Sequence, residues 1–132
     1  YGTVDNKTVL EVVDDAATAN WGGVWRMPTY EEFQELISNC TWKWTTLNNV
    51  SGYMVTSNIN GRTIFMPITG YIASTTSVKN ESGFYWSSSL YETYPDNIRF
   101  LYFDNDEIFI TTLYERNYNG RNYGQPIRPV CP

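Results

Sequence analysis

The chain has 132 residues, 42% of them hydrophobic and 17% charged, the size and balance of one soluble globular domain. Fourteen acidic residues against nine basic ones give a net charge of −5, which argues against a nucleic-acid partner. Histidine is absent, which removes the usual general base, the usual metal ligand and any Ser-His or Cys-His nucleophile pair.

No apolar run approaches the roughly 18 residues of a spanning helix, so direct membrane insertion is not expected. No charged-then-apolar leader opens the chain, so any secretory signal is expected outside this sequence. Cys40 and Cys131 are the only cysteines, and their separation fits no CxxC metal or redox motif. A disulfide closing about 90 residues and two unrelated buried thiols both remain open at this point.

In chain order, Thr8 to Val13 is β-prone and dense enough in apolar residues for a partly buried strand. Asp14 and Asp15 then precede a short helix at Ala16-Ala17-Thr18-Ala19, with Asn20-Trp21-Gly22-Gly23 ending it. Thr29-Tyr30-Glu31-Glu32 forms a capping box, and Phe33, Leu36, Ile37 and Cys40 recur at helical spacing. This predicts a helix from about Tyr30 to Asn39, with Cys40 at its end. After Trp42-Lys43-Trp44 strands are expected at Gly52–Val55 and Thr63–Met66, joined by a turn at Ser57 to Gly61. Further strands are expected at Gly83–Ser88, Ile98–Phe103, Ile108–Ile110 and Ile127–Val130. Two helices followed by short strands make an α+β domain.

Several segments in order carry a resemblance. They are Asp15-Ala16-Ala17 to Trp21-Gly22-Gly23, Trp25-Arg26-Met27-Pro28-Thr29-Tyr30-Glu31-Glu32-Phe33 and Tyr85-Trp86-Ser87-Ser88-Ser89. Leu101-Tyr102-Phe103 and Gly124-Gln125-Pro126-Ile127-Arg128-Pro129-Val130 complete the set. Together they resemble the major paralogous domain of Fibrobacter and gut Bacteroidetes, in the formylglycine-generating-enzyme branch of the C-type lectin fold. The resemblance implies two short helices packed on twisted antiparallel sheets. It also implies a surface or pilus-tip location, outside the cytoplasm of a bacterium, as the C-terminal domain of a longer protein. C-type lectins commonly join their first long helix to the final strand by a disulfide, so it implies a Cys40–Cys131 bond.

Formylglycine-generating enzymes use two cysteines near the C-terminal end of the domain, whereas only Cys131 lies there. Calcium-dependent lectins pair a Glu-Pro-Asn or Gln-Pro-Asp motif with a later Trp-Asn-Asp, and this chain offers only Tyr94-Pro95-Asp96-Asn97. A Pro-Asp in a polar loop reads as a turn. No enzyme activity, cofactor or metal is therefore expected.

From Phe84 to Tyr123 lie 12 of the 22 aromatic residues, seven of them tyrosines, interleaved with Asn, Asp, Ser, Thr and Arg. Tyrosine with adaptable small polar residues is paratope chemistry, and Arg99, Arg116 and Arg121 add the cation enriched in hot spots. With Leu101 and Phe103 placed on the buried face by the resemblance, alternation turns Phe100 and Tyr102 outward. The expected ligand-binding residues are Tyr91, Tyr94, Asn97, Phe100, Tyr102, Asp104, Asp106, Phe109, Thr111, Thr112, Tyr114, Arg116, Tyr118, Arg121 and Tyr123.

In retroelement-diversified relatives the variable positions cluster in this stretch, where mutagenesis at adenines scatters Asn codons into Tyr, Asp, Ser, Thr and Arg. The resemblance thus implies a diversified surface for a protein or surface-glycan ligand. The alternative is a structural domain of a pilus or envelope protein, its aromatics packed on a neighbouring subunit. Arg26 and Arg128 read as structural anchors, and Trp21, Trp25, Trp42, Trp44 and Trp86 as core.

Overall fold

The computed structural model describes residues 7–73, 76–78, 81–112 and 123–131. Among the described residues two helices, α1 (Ala16–Trp21) and α2 (Tyr30–Asn39), precede nine strands. These are β1 (Cys40–Leu47), β2 (Val50–Ser57), β3 (Thr63–Pro67), β4 (Tyr71–Ala73), β5 (Thr76–Val78), β6 (Gly83–Tyr91), β7 (Tyr94–Phe103), β8 (Ile108–Thr112) and β9 (Tyr123–Gly124). They pair as three antiparallel three-stranded sheets, β1-β2-β3, β5-β4-β9 and β6-β7-β8. The domain is α+β, as expected.

Both helices begin where side chains supply the missing acceptors. Thr29 Oγ1 accepts from Glu32 N, and the Glu32 carboxylate accepts from Thr29 N at 2.9 Å, closing the capping box. Arg26 then grips the same carboxylate with two hydrogen bonds of 2.7 and 2.6 Å, as the anchor reading of Arg26 requires. Asp15 caps α1, its Oδ1 accepting from Ala17 N and Thr18 N and its Oδ2 from Met27 N. One buried carboxylate therefore satisfies three backbone donors and ties α1 to the approach of α2.

The β1–β2 turn places Asn48 and Asn49 at φ of 50° and 62°. Two left-handed residues match the two-residue turn whose twist suits an antiparallel hairpin, and asparagine tolerates that conformation. Together with α2, the resulting sheet covers one face of β6-β7-β8. Between them lie Phe33, Tyr53, Val55, Met66, Tyr85, Leu101 and Phe103, with Trp42 and Trp44 packed at the margin.

The opposite face carries a second core of Ala17, Met27, Phe84, Trp86, Leu90, Ile98, Phe100 and Tyr102. Every residue of β6 from Gly83 to Leu90 is buried. The β6–β7 ribbon is thus the middle layer, with apolar side chains leaving it in both directions. Phe100 and Tyr102, expected outward, are buried, and Phe100 is 0% exposed. Alternation does separate them from Leu101 and Phe103, but the far face is covered too.

Two predicted strands are not strands. Thr8 to Val13 contributes only the bridge between Val9 and Ser89, and then turns. Asp14 N and Asp15 N both donate to Glu11 O, because Asp15 must curl in to cap α1. Ile127–Val130 contributes only the bridge between Val130 and Arg26, since Pro126 and Pro129 interrupt any ladder with missing donors. In the other direction, β1 begins directly at Cys40 and includes Trp42 to Trp44, and β4, β5 and β9 had no clear pattern.

The expected disulfide is absent, and Cys40 and Cys131 are free thiols. Cys131 follows the Val130–Arg26 bridge, and Arg26 is bonded to the first turn of α2. Cys40 lies at the other end of that ten-residue helix, about 15 Å along its axis. A disulfide needs Cα atoms within about 7 Å.

Candidate binding surface

The described members of the expected ligand-binding set do not form one patch. β7 has ten residues, roughly 30 Å of chain, and its two ends carry different groups. Tyr114, Arg116, Tyr118 and Arg121 lie outside the described residues. Thr112 ends β8 opposite Arg99, and Tyr123 in β9 pairs with Ala73, which fixes only their backbone.

At the β7–β8 hairpin Asp104 closes the turn. Its Oδ1 accepts from Asp106 N and Glu107 N, and its Oδ2 accepts from Tyr102 Oη at 2.9 Å. Asp106 is exposed, Phe109 is half-buried against Tyr102, and Thr111 is buried. A wide polar hollow of about 380 Å³ beside this turn is lined by Trp44, Ser51, Ile68, Glu81, Ser82, Asp104 and Asn105. Asn97, near the other end of β7, is buried.

At the β6–β7 end the arrangement is different. Tyr91 and Tyr94 close the hairpin with their rings stacked, centroids 6.2 Å apart, and Tyr94 is 42% exposed. Arg99 lays its guanidinium over the Tyr30 ring at 4.1 Å, with the Tyr91 ring at 5.4 Å. Tyr30 is held there because its N–H donates to Ser89 Oγ, joining the first turn of α2 to β6. Beside them is a depression of about 170 Å³, bordered by Thr8, Val9, Tyr30, Glu31, Ser89, Leu90, Glu92 and Arg99.

Sequence reasoning did not select Tyr30. Its place in the capping box explains it fully as a helix residue, and α2 meets β6 across 59 positions of sequence. Arg99 was legible as a hot-spot cation amid aromatics, but its clamp was not. The two exposed tryptophans were also missed. Trp21 is 62% and Trp25 41% exposed, so neither belongs to the core. Gly22 and Gly23, both with φ near +65°, fold the chain back so that the indoles meet edge to face at 5.9 Å. Trp86 is core, and Trp42 and Trp44 are partly buried at the margin of the core built around Phe33, Tyr53 and Phe103.

Among the described residues no group of three or more Cys, Asp or Glu side chains is placed to hold a metal ion. Among them, too, no helix is long and apolar enough to cross a membrane. Comparison with family models, curated proteins and solved structures finds no match to this chain.

Proposed function

We propose that this chain is a non-catalytic, C-type-lectin-like ligand-binding domain of a bacterial surface or pilus-tip protein. The observation that carries the proposal is the Tyr30–Arg99–Tyr91–Tyr94 cluster. There, aromatic area and a cation reach the surface on a rigid strand pair, next to the strand end that leads into Thr111-Thr112-Leu113-Tyr114. Rigid tyrosine and arginine are the groups that dominate recognition energy. In this proposal the Tyr/Arg/Asn-rich segment at 113–122, the stretch that the family resemblance marks as diversified, supplies further ligand contacts.

An array of bacterial and host surface glycans, probed with the chain and with its Tyr94→Ala, Tyr114→Ala and Tyr118→Ala variants, tests this. Each variant should weaken capture by about 2 kcal/mol, the size of a hot spot, while Tyr94→Ala leaves the thermal midpoint nearly unchanged. Undiminished capture by all three variants would move the binding surface elsewhere. The exposed Trp21–Trp25 pair, with exposed Val24 beside it, favours a second reading as an assembly domain whose α1 end packs on a neighbouring subunit.

A further inference from the structure

Arg99 stands out because of what holds it and what does not. Its backbone is locked in β7, where its carbonyl accepts from Ser87 Oγ at 2.7 Å and its neighbour Phe100 is fully buried. Its guanidinium is held by ring faces, at 4.1 Å from Tyr30 and 5.4 Å from Tyr91. A ring face engages the flat side of the guanidinium and leaves the N–H edge unspent.

Among the described residues no carboxylate pairs with it. Glu31 and Glu92 border the same depression, yet neither comes within ion-pair distance of Arg99. The usual resting state of an arginine beside glutamates is a salt bridge. Here the two rings hold the guanidinium, and among the described residues no carboxylate consumes its donors.

We propose that Arg99 is the anchor for the carboxylate of an acidic sugar, a uronic-acid-type ring bound in this depression. The proposal rests on the binding-domain reading above and names the ligand class of that site. A planar fork of N–H donors matches a carboxylate bidentately, which the compact ammonium of lysine does not.

Glu31 and Glu92 repel a bare anion, so the ligand must bring hydrogen-bond donors along with its carboxylate. Ring hydroxyls supply those donors. Tyr30, which borders the depression and carries Arg99 over its ring, adds aromatic surface beside the guanidinium. The volume of about 170 Å³ is below the ~300 Å³ at which pockets for larger ligands begin, so one ring is held rather than an extended chain.

Nuclear magnetic resonance titration of the intact chain tests the proposal with three probes: glucuronate, glucose and N-acetylglutamate. Glucuronate should shift the Arg99 side-chain N–H signals and the Tyr30 and Tyr91 ring signals together. Glucose should bind about tenfold more weakly or less, the factor that one lost charge-assisted hydrogen bond implies. N-acetylglutamate, which carries carboxylates but no sugar hydroxyls, should also be weaker.

Arg99→Lys, which keeps the charge and loses the fork, should cost glucuronate about tenfold or more. Its thermal midpoint reports whether the variant is folded. The comparison of the three probes on the unaltered chain stands without any variant.

Equal affinity for glucose and glucuronate would overturn the proposal, as would N-acetylglutamate binding as tightly as the sugar acid. So would a folded Arg99→Lys chain that binds glucuronate unchanged. Capture of neutral glycans alone would sink this inference and leave the binding-domain reading standing. Loss of every glycan signal would remove both.

Discussion

Aromatic side chains crowd both parts of the β6–β7 ribbon, yet the two parts do opposite things. In the body of the ribbon, Phe84, Trp86, Phe100 and Tyr102 enter one core, while Tyr85, Leu101 and Phe103 enter another. At its tip, Tyr91 and Tyr94 stack on each other at the surface, and Arg99 lies against Tyr91 and Tyr30. The residue types are nearly the same. What differs is cover: the body lies under α2 and the β1-β2-β3 sheet on one side, and under residues of α1, Met27, Tyr71 and Ile127 on the other. Aromatic density alone therefore says little about binding, and the layer packed over each face decides.

Truncation should separate the body of the ribbon from its tip most strongly. Phe100→Ala and Phe103→Ala should each cost about 3–5 kcal/mol in urea denaturation, since each leaves a cavity in a different core. Tyr94→Ala should stay within about 0.5 kcal/mol, as surface substitutions do. Similar losses at body and tip would show that the tip is core as well.

A smaller effect is expected where the second core meets α1. Asp15→Asn removes one of two carboxylate oxygens that together accept from Ala17 N, Thr18 N and Met27 N. An amide cannot accept from Met27 and keep both other partners, so a loss of about 1–3 kcal/mol is expected. Hydrogen exchange should quicken at Ala17, Thr18 and Met27 and stay slow in the β6–β7 body. Unchanged exchange at Met27 would refute the role of Asp15 as the tie between α1 and the core.

The smallest effect lies at the start of α2. The hydrogen-bonded Arg26 guanidinium holds the Glu32 carboxyl below its ordinary value of 4.5, aided by the bond from Thr29 N. A carboxyl held low stabilises the fold fully above that ordinary value and loses its contribution as pH falls through the lower folded value. Both side chains are more than a third exposed, so solvent screening keeps the gain small. Glu32→Gln should flatten the acid limb of the stability profile below about pH 4.5 and leave the alkaline limb unchanged. An unaltered acid limb would show that the ion pair contributes nothing.

Local chemistry was enough to determine α2 completely. Thr29, Glu32 and the apolar spacing from Phe33 to Cys40 act within a few residues of one another, so the helix and both its ends could be read directly. The central parts of the β6–β7–β8 strands were legible for the same reason, because alternation is a property of neighbours, although Tyr94 to Asn97, read as a turn, begins β7. Contacts between distant segments were not. That Phe100 and Tyr102 are buried depends on distant segments, among them Ala17, Met27, Tyr71, Phe109 and Ile127, packing into one cluster on the far face. That Cys40 and Cys131 stay apart depends on their attachment to opposite ends of α2. That Tyr30 meets Arg99 depends on Ser89 reaching the helix across 59 positions. A periodic pattern says that a strand has two faces. Only the tertiary structure says what covers each of them, and burial is a property of the cover.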